Sequence, residues 1–386
     1  MVDSSNGLNL IEPILDAARQ QQAKEYTRTG RYLSLAELVL VMVPLAMLVF
    51  AGLSERLVGS LDLPVIVAAI VYFLILFAAY RVITVPISYY RGYVLPWRYG
   101  LSRQNLSGWL GDLVKAGALM LVLGVVVVVI VYWLLNVQSQ LWWLFSWAFL
   151  VLFSMVMSML APVLLVPIFF KMKPLTYGEL RERLEKLAER AGVKIGGMYT
   201  IEFSSKSTTA NAALMGMGRT RRIVLSDTLI SQYSTSEIEV IMAHEMAHNR
   251  HRDMLRLTVF QSAVMLVNLY AASLVLDAVI EPLGFSGLSD VSALPLLVLI
   301  FIVINLLLSP IITGYGRRLE TEADGYALEL TGNPSSFISA MARLTDQNLA
   351  EAEPSRWVEL LLHDHPSYHS RLEHARSFAE LRRDGN

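Results

Sequence analysis

Long apolar runs separated by polar stretches are the main pattern of the chain. A helix needs roughly 20 mostly apolar residues to cross a bilayer core about 30 Å thick. Six runs are long enough, and we therefore predict a mainly α, polytopic membrane protein with about six transmembrane helices. The predicted spans are residues 35–53, 63–80, 116–135, 141–170, 257–280 and 292–312.

The composition agrees with a membrane protein and limits the kinds of partner. Of the 386 residues, 54% are hydrophobic and only 17% are charged. The net charge of −1 argues against nucleic acid as a partner. The chain has no cysteine, which excludes disulfides and thiolate zinc ligands. All 7 histidines lie at or after position 244, so histidine ligands can come only from the C-terminal part.

Lys and Arg are distributed very unevenly between the predicted spans. The segments before the first span, after the second, after the fourth and after the sixth hold 4, 5, 14 and 8 of the 32. The three other segments hold 1 in total. By the positive-inside rule, both termini and the two large hydrophilic blocks lie in the cytosol, on the same side of the membrane.

These patterns predict five consecutive parts. Leu10, Ile11, Ile14 and Leu15 allow one amphipathic turn at the membrane surface, but a frayed terminus is the simpler interpretation. The loop 81–115 contains an amphipathic helix from Leu106 to Leu113, either lying on the membrane or serving as a linker. The parts are a cytosolic N-terminal segment 1–32, a membrane domain 33–170 with four spans and a cytosolic loop 81–115, a cytosolic catalytic part 171–256, two spans 257–312, and a cytosolic C-terminal catalytic part 313–386.

The strongest chemical motif is H-E-x-x-H, formed by His244, Glu245 and His248. A capping box, Ser234 with Glu237, precedes it, so the motif is predicted to lie on a helix. The two histidines then share a face and can bind one zinc ion, while the glutamate can take a proton from a water. The alternative is a pair of surface histidines on an amphipathic helix.

A catalytic zinc site usually has a third protein ligand. Glu320 and Asp324 are four residues apart in a later helical stretch and share a face. One of them would bind the metal, and the other would hold a ligand imidazole. We expect the fifth and sixth spans to carry the ligands on helical extensions into the cytosol.

Two β-prone runs, residues 198–203 and 222–225, precede the motif helix and flank a stretch rich in Ser, Thr, Gly and Met. They predict a small antiparallel sheet whose edge strand can hold a substrate backbone. Asn211 lies between the runs and is either part of that site or a turn residue.

A group of histidines near the C-terminus allows a second metal site, but surface histidines are the simpler interpretation. The group includes His363, His365 and His369.

Taken together, these motifs resemble the integral-membrane zinc metalloproteases of the CAAX prenyl protease 1 type, whose bacterial relatives include HtpX. The resemblance covers about residues 90 to 375. Besides H-E-x-x-H, its motifs are Arg98-Tyr99-Gly100-Leu101-Ser102 with Gln104, Trp109 and Asp112; Asn211-Ala212; Arg222-Ile223-Val224-Leu225 with Asp227-Thr228; Arg318-Leu319-Glu320 with Ala323-Asp324; and His365-Pro366 with Arg371-Leu372.

The resemblance implies a zincin-like domain with one Zn²⁺ per chain. It also implies a role for each matching residue: His244, His248 and Glu320 as ligands, Glu245 as general base, Asp324 beside the ligands, Asn211 and His365 on the substrate, and Arg371 as support. The chain departs from the family in two ways. We count six spans where such enzymes have seven, and Ser367 follows the His-Pro pair.

We therefore expect a zinc-dependent membrane endopeptidase. Its substrates would be peptides or proteins, including lipidated or membrane-embedded ones. The enzyme would reside in the bacterial cytoplasmic membrane, with its active site on the cytosolic side. One alternative is an HtpX-like quality-control protease. Another is a non-catalytic zinc-containing membrane protein that binds lipid or peptide.

Overall fold

A computed structural model describes residues 15–176, 178–216 and 221–384. The described part is mainly helical and contains one four-stranded sheet. Two π-helical turns, Tyr90–Val94 and Ala161–Leu165, join helices without a loop. The α-helices are α1 (Ala17–Phe50), α2 (Leu53–Gly59), α3 (Val65–Tyr89), α4 (Leu95–Arg98), α5 (Leu106–Val137), α6 (Trp142–Leu160), α7 (Val166–Phe169), α8 (Glu179–Arg190), α9 (Asp227–Gln232), α10 (Thr235–Arg250), α11 (Asp253–Val279), α12 (Leu294–Thr331), α13 (Pro334–Gln347), α14 (Arg356–Leu362) and α15 (Tyr368–Asp384).

Within the described residues, six helical stretches are long and apolar enough to cross a membrane. This confirms the predicted polytopic helical fold with six spans. Four stretches precede the sheet and two follow α10. They are Ala17–Phe50, Val65–Arg98, Leu106–Val137, Trp142–Phe169, Asp253–Val279 and Val291–Thr331.

The terminal residues expected to fray, around Leu10 to Leu15, lie almost entirely outside the described part, and the expectation stays a prediction. Residues 1–14 lie outside the described part, but from Ala17 onward the polar segment is the beginning of α1. Asp16 caps this helix by accepting hydrogen bonds from two backbone N–H groups of its first turn. The polar segment and the first span are therefore one continuous helix.

Tertiary contacts hold this polar end of α1 against the C-terminal part of the chain. Ala23 is fully buried and packs with Leu101 and Leu349. Arg31 forms an ion pair with Glu351 at 2.9 Å. These contacts are long-range, and so the local polarity of the segment gave no sign of them.

The predicted cytosolic loop 81–115 is also largely helical. Helix α3 continues through the first π turn into α4, and α5 begins at Leu106 with Asn105 as its cap. The amphipathic helix predicted here is therefore the first part of α5 and not a separate surface helix. No strong helix breaker separates its polar turns from the apolar span that follows, so the helix simply continues.

The sheet is mixed, which corrects the antiparallel prediction. Strand β3 turns back into β4, but β4 rather than β3 lies next to β2, so β2 and β4 run parallel. The strand order is β1-β2-β4-β3, which leaves β3 at an edge. Strand β3 lies in the stretch between the two predicted runs and was not predicted as a strand. The strands are β1 (Met172–Pro174), β2 (Gly197–Ile201), β3 (Ala212–Met215) and β4 (Arg222–Ser226).

The motif helix and the fifth span are separate helices, contrary to the prediction. Helix α10 ends at Arg250, and α11 begins at Asp253. Arg252 between them has a φ of 58°, in the left-handed region. No Gly or Pro marks this break in the sequence. The sixth span does extend as predicted, because Glu320 lies on α12.

Two hydrophobic cores position the site. One lies around the sheet, α8, α10, α13 and α15, where Leu184, Met242 and Phe337 are almost fully buried. The other lies among the spans and includes Trp142 and Leu276. Helix α10 is packed inside the first core, so its two histidines sit on a rigid support. The domain boundaries predicted above stay predictions.

Candidate metal centre

Three side chains from two helices meet beside the sheet. His244 and His248 lie one turn apart on α10, and Glu320 comes from α12. Oε2 of Glu320 is 3.2 Å from Nε2 of His244, and its Oε1 is 3.4 Å from Nε2 of His248. The spacing left Glu320 and Asp324 open as third donor, and the resemblance implied Glu320. The geometry favours Glu320 as well, because it faces the outer nitrogens of both rings.

The donor separations suit a zinc ion. Tetrahedral zinc with bonds of about 2.0–2.2 Å keeps neighbouring donors about 3.3 Å apart. One donor atom from each of the three residues lies within 4.8 Å of the others. Oε2 of Glu320 is also buried and has no hydrogen-bond partner. A cation between the three residues would remove the cost of that unpaired oxygen.

Asp324 fixes the tautomer of His244. Its Oδ1 is 2.8 Å from Nδ1 of the ring. A carboxylate can only accept, so Nδ1 donates and Nε2 presents a lone pair to Glu320. Arg371 donates from Nε to Oδ2 of Asp324 at 2.8 Å, and its Nη2 donates to Oδ1. Asp324 is 1% exposed, so this contact is protected from water.

The surroundings of His244 favour a positive charge. Burial alone would lower the pKa of His244, but the carboxylates of Asp324 and Glu320, 2.8 and 3.2 Å from its ring nitrogens, outweigh burial and raise it to about 9. Burial raises the pKa of Glu245, although the two histidines oppose that change. A proton or a divalent cation can supply the missing charge, so metal binding here competes with protonation.

The edge strand β3 runs past Glu245. The carbonyl of Asn211 accepts from the N–H of Ser226, so alternate residues of the strand bond to β4. Ala212 and Leu214 are the residues between, and their backbone groups point away from β4. The backbone of Leu214 approaches the Glu245 carboxylate closely enough to lower its pKa, against the larger effect of burial. The free edge of the sheet is thus adjacent to the predicted base.

Side chains of α9 hold the loop that leads into β3. Asp227 accepts hydrogen bonds from the backbone N–H groups of Phe203 and Ser204 at 3.0 and 2.8 Å. Thr228 donates from Oγ1 to the carbonyl of Thr209 at 2.7 Å. The Asp-Thr pair therefore sets the approach of the chain to Asn211.

The link between α4 and α5 braces the same loop. Ser102 and Ser207 form an isolated antiparallel bridge. Asp112 of α5 pairs with Lys206 and accepts a hydrogen bond from Gln104 at 2.6 Å. Ser102, Gln104 and Asp112, which belong to the motif that begins at Arg98, thus contact or support the loop before the edge strand β3.

His365 lies at the rim of the site. Its Nε2 is 3.5 Å from Oε2 of Glu320, and its side chain is 61% exposed. The hydrogen bond from its Nδ1 to Asp364 raises its pKa. His363 and His369 do not join it in a second metal-binding group, since the structure's described residues contain only the His244 group.

A cleft of about 730 Å³ opens in front of the metal centre. Its wall includes Thr27 of α1 and Glu351, so the N-terminal helix contributes to the entrance. All the predicted site residues except Asp324, which lies behind His244, face this cleft. They are Asn211, His244, Glu245, His248, Glu320, His365 and Arg371.

The sequence did not predict Asp253, which contacts His248. Nδ1 of His248 is 2.9 Å from Oδ2 of Asp253. A charged residue just before an apolar span is ordinary, and a continuous helix would have turned it away from the ring. The contact depends on the break at Arg252.

Two family models together match nearly the whole chain. The model described as peptidase family M48 matches residues 174–379. The model described as CAAX prenyl protease N-terminal, five membrane helices, matches residues 9–171. Within the described residues, four of the membrane-crossing stretches fall in that second range.

Similar proteins come from bacteria and eukaryotes. The uncharacterized metalloprotease YhfN of Bacillus subtilis is 27% identical, over 92% of this chain and 84% of that protein. CAAX prenyl protease 1 of Saccharomyces cerevisiae is 28% identical, over 75% of this chain and 68% of its own length. The crystal structure of S. mikatae Ste24p matches with a TM-score of 0.78 at 20% identity, over 96% of this chain and 92% of that one. The fold is therefore that of Ste24p.

Proposed function

The chain belongs to peptidase family M48, and on this basis we propose that its His-His-Glu group is the catalytic zinc site for cleavage of membrane-associated substrates. The protein is a multi-pass integral-membrane metalloendopeptidase related to CAAX prenyl protease 1 and depends on zinc. It acts on a peptide or protein and is embedded in the lipid bilayer.

His244, His248 and Glu320 hold one zinc ion, and Asp324 keeps His244 in the ligand tautomer. Zinc held there supplies Lewis acidity and lowers the pKa of a water. The observation that carries this assignment is the Glu320 carboxylate, whose buried, unpartnered Oε2 faces Nε2 of His244 and whose Oε1 faces Nε2 of His248. Catalytic zinc sites usually have three protein ligands, which is also the number of donor residues here.

Glu245 is the general base. Its carboxylate takes a proton from the attacking water as the new C–O bond forms at the scissile carbonyl. The same proton then passes to the leaving nitrogen as the C–N bond breaks. Support comes from its place in the cleft, next to two ligands and beside the free edge of β3.

An extended substrate adds to the edge of β3. The N–H and C=O groups of Ala212 and the C=O of Leu214 are the backbone groups directed toward it. Main-chain pairing holds the scissile bond in front of Glu245 without requiring a particular side chain. This mode suits an enzyme with varied peptide substrates.

The residues at the rim contact the substrate. His365 donates from its ring to the developing oxyanion, and Asn211 binds the substrate backbone beside it. Arg371 acts indirectly, because its guanidinium is bonded to Asp324. The support is that Asn211 and His365 line the same cleft as Glu245.

We place the active site on the cytosolic side of a bacterial membrane. The distribution of Lys and Arg supports the sidedness, and the Bacillus subtilis relative supports the source. Membrane-associated or lipidated peptides are the proposed substrates, in line with the name of the yeast relative. Misfolded or stalled membrane proteins, as for an HtpX-like protease, are the alternative substrates.

The test is cleavage by the full-length, zinc-loaded protein in detergent, with products identified by mass spectrometry. Glu245→Gln should keep its zinc and lose cleavage by about 10²–10⁴-fold, whereas Glu320→Ala should lose the zinc. Turnover by Glu245→Gln near the wild-type rate would refute the assigned base. A lipidated peptide and its unmodified twin, compared as substrates, separate the two substrate classes.

A further inference from the structure

His248 has a buried carboxylate behind it, as His244 has. Oδ2 of Asp253 is 2.9 Å from Nδ1 of His248, and Asp253 is 1% exposed. Nδ1 must donate to this carboxylate, so Nε2 is left with its lone pair toward Glu320. The two rings are perpendicular, with centroids 4.9 Å apart.

The chain reaches this contact through a strained turn. Asp253 is only five positions after His248, and on a continuous helix its side chain would lie about 140° around the axis from the ring. Arg252 adopts φ = 58° instead, a conformation that is unfavourable for a residue with a Cβ. This strained turn at Arg252 brings the carboxylate of Asp253 back to the ring of His248.

Arg256 connects this carboxylate to the helix that carries the third ligand. Its Nη1 donates to Oδ1 of Asp253 at 2.9 Å and to Oε2 of Glu322 at 2.7 Å. Glu322 is two residues after Glu320 on α12. The chain Asp253–Arg256–Glu322 therefore joins the beginning of α11 to α12 directly beside the metal centre.

We propose that Asp253 is the positioning residue of His248 and that Arg256, bound to Asp253 and Glu322 together, holds His248 and Glu320 at the spacing that the metal needs. This inference rests on the proposed function, since it assumes that His248 and Glu320 are ligands. The inference assigns Asp253, Arg256 and Glu322 a role in the affinity and geometry of the metal site. None of the three is assigned a contact with substrate.

The substitution Asp253→Asn tests this role with little change in the shape of the side chain. The carboxylate accepts from the ring of His248 on one oxygen and from Arg256 on the other. An amide offers only one acceptor, and its NH₂ group must then face another donor. Removal of such an indirect partner typically costs about 10–100-fold in metal affinity.

The experiment measures zinc affinity of the full-length protein in detergent by competition with a chromophoric chelator. The visible spectrum of the cobalt(II)-substituted protein reports the ligand geometry, and thermal unfolding of the metal-free protein reports the fold. The variants are Asp253→Asn and Arg256→Gln. Asp277→Asn, an exposed acid on the same helix, is the matched control.

We expect Asp253→Asn to lose about 10–100-fold in zinc affinity with a changed cobalt spectrum, and Arg256→Gln to lose less in the same direction. Asp277→Asn should bind as the wild type does. Wild-type affinity and an unchanged spectrum in Asp253→Asn would overturn the inference, as would an equal loss in Asp277→Asn. If Asp253→Asn does not fold, Arg256→Gln decides by the same two measurements.

His248→Ala separates this inference from the proposed function. Loss of zinc by His248→Ala, with wild-type binding by Asp253→Asn, overturns the role of Asp253 and leaves the ligand set intact. Retention of zinc by His248→Ala overturns the ligand set and the role of Asp253 with it.

Discussion

Nδ1 of His244 lies 2.8 Å from Oδ1 of Asp324, although the two residues are 80 positions apart in the chain. The contact joins α10 to α12, and Arg371 of α15 completes it from a third helix. Elements on both sides of the last two spans therefore meet at one ring. The orientation of His244 depends on how these helices dock.

We predict that Asp324→Asn weakens zinc binding by about 10–100-fold. The amide cannot accept from the ring and from both guanidinium nitrogens, so the ring loses its fixed tautomer. Metal titration against a chelator measures the change. Glu329→Gln, an exposed acid on the same helix, should bind zinc normally, and equal affinities for the two variants would contradict the prediction.

Replacement of His365 should affect turnover more than metal binding. Loss of a donor to the oxyanion typically costs about 10²–10³-fold in kcat, and His365→Ala should show this with its zinc content unchanged. His369→Ala is the control, because His369 pairs with glutamates outside the cleft. Steady-state kinetics with metal analysis decide, and a variant with normal kcat would exclude His365 from the chemistry.

Pairing with β3 predicts an alternating effect of N-methylation along a peptide substrate. A methyl group on an amide that faces Ala212 or Leu214 removes a hydrogen bond, which costs about 0.5–1.5 kcal/mol and raises KM. A methyl group on the next amide points away from the strand and should have little effect. A series of singly methylated peptides provides the test, and a uniform effect at every position would argue against strand addition.

Glu237 should make stability depend on pH. Burial alone would raise the pKa of Glu237, but hydrogen bonds from Ser339 and Ser234 and the charge of Arg343 outweigh burial and lower it. A lowered pKa in the folded state adds stability that is full above the unfolded value, about 4.3. This stability is lost as pH falls through the folded value.

Glu237→Gln should therefore unfold at a lower temperature than the wild type at pH 7, a loss of about 1–3 kcal/mol. The gap should narrow as the pH falls below about 4. Thermal unfolding across this range measures it. Glu179→Gln, an exposed glutamate with a 3.6 Å ion pair, should behave as the wild type, and a gap that does not change with pH would be the contrary result.

The local sequence was sufficient for features that depend on neighbours along the chain. Apolar runs identified the spans, and the capping box of Ser234 and Glu237, present in the structure, marked the start of α10. The spacing of His244 and His248 gave a shared face because helical periodicity is local. Glu320 and Asp324 could be grouped for the same reason, but the spacing did not distinguish their roles, which came from the family resemblance.

Tertiary structure decided everything that depends on distant contacts. The approach of Glu320 to both histidines, the parallel pairing of β2 with β4, and the docking of the polar end of α1 through Ala23 all require knowledge of which elements meet. The left-handed Arg252 carries no signal in the sequence, because neither Gly nor Asn, the residues that usually adopt this conformation, stands at this position. The sequence by itself determined a helical membrane metalloprotease, while the positions of its side chains around the metal came from packing between helices far apart in the chain.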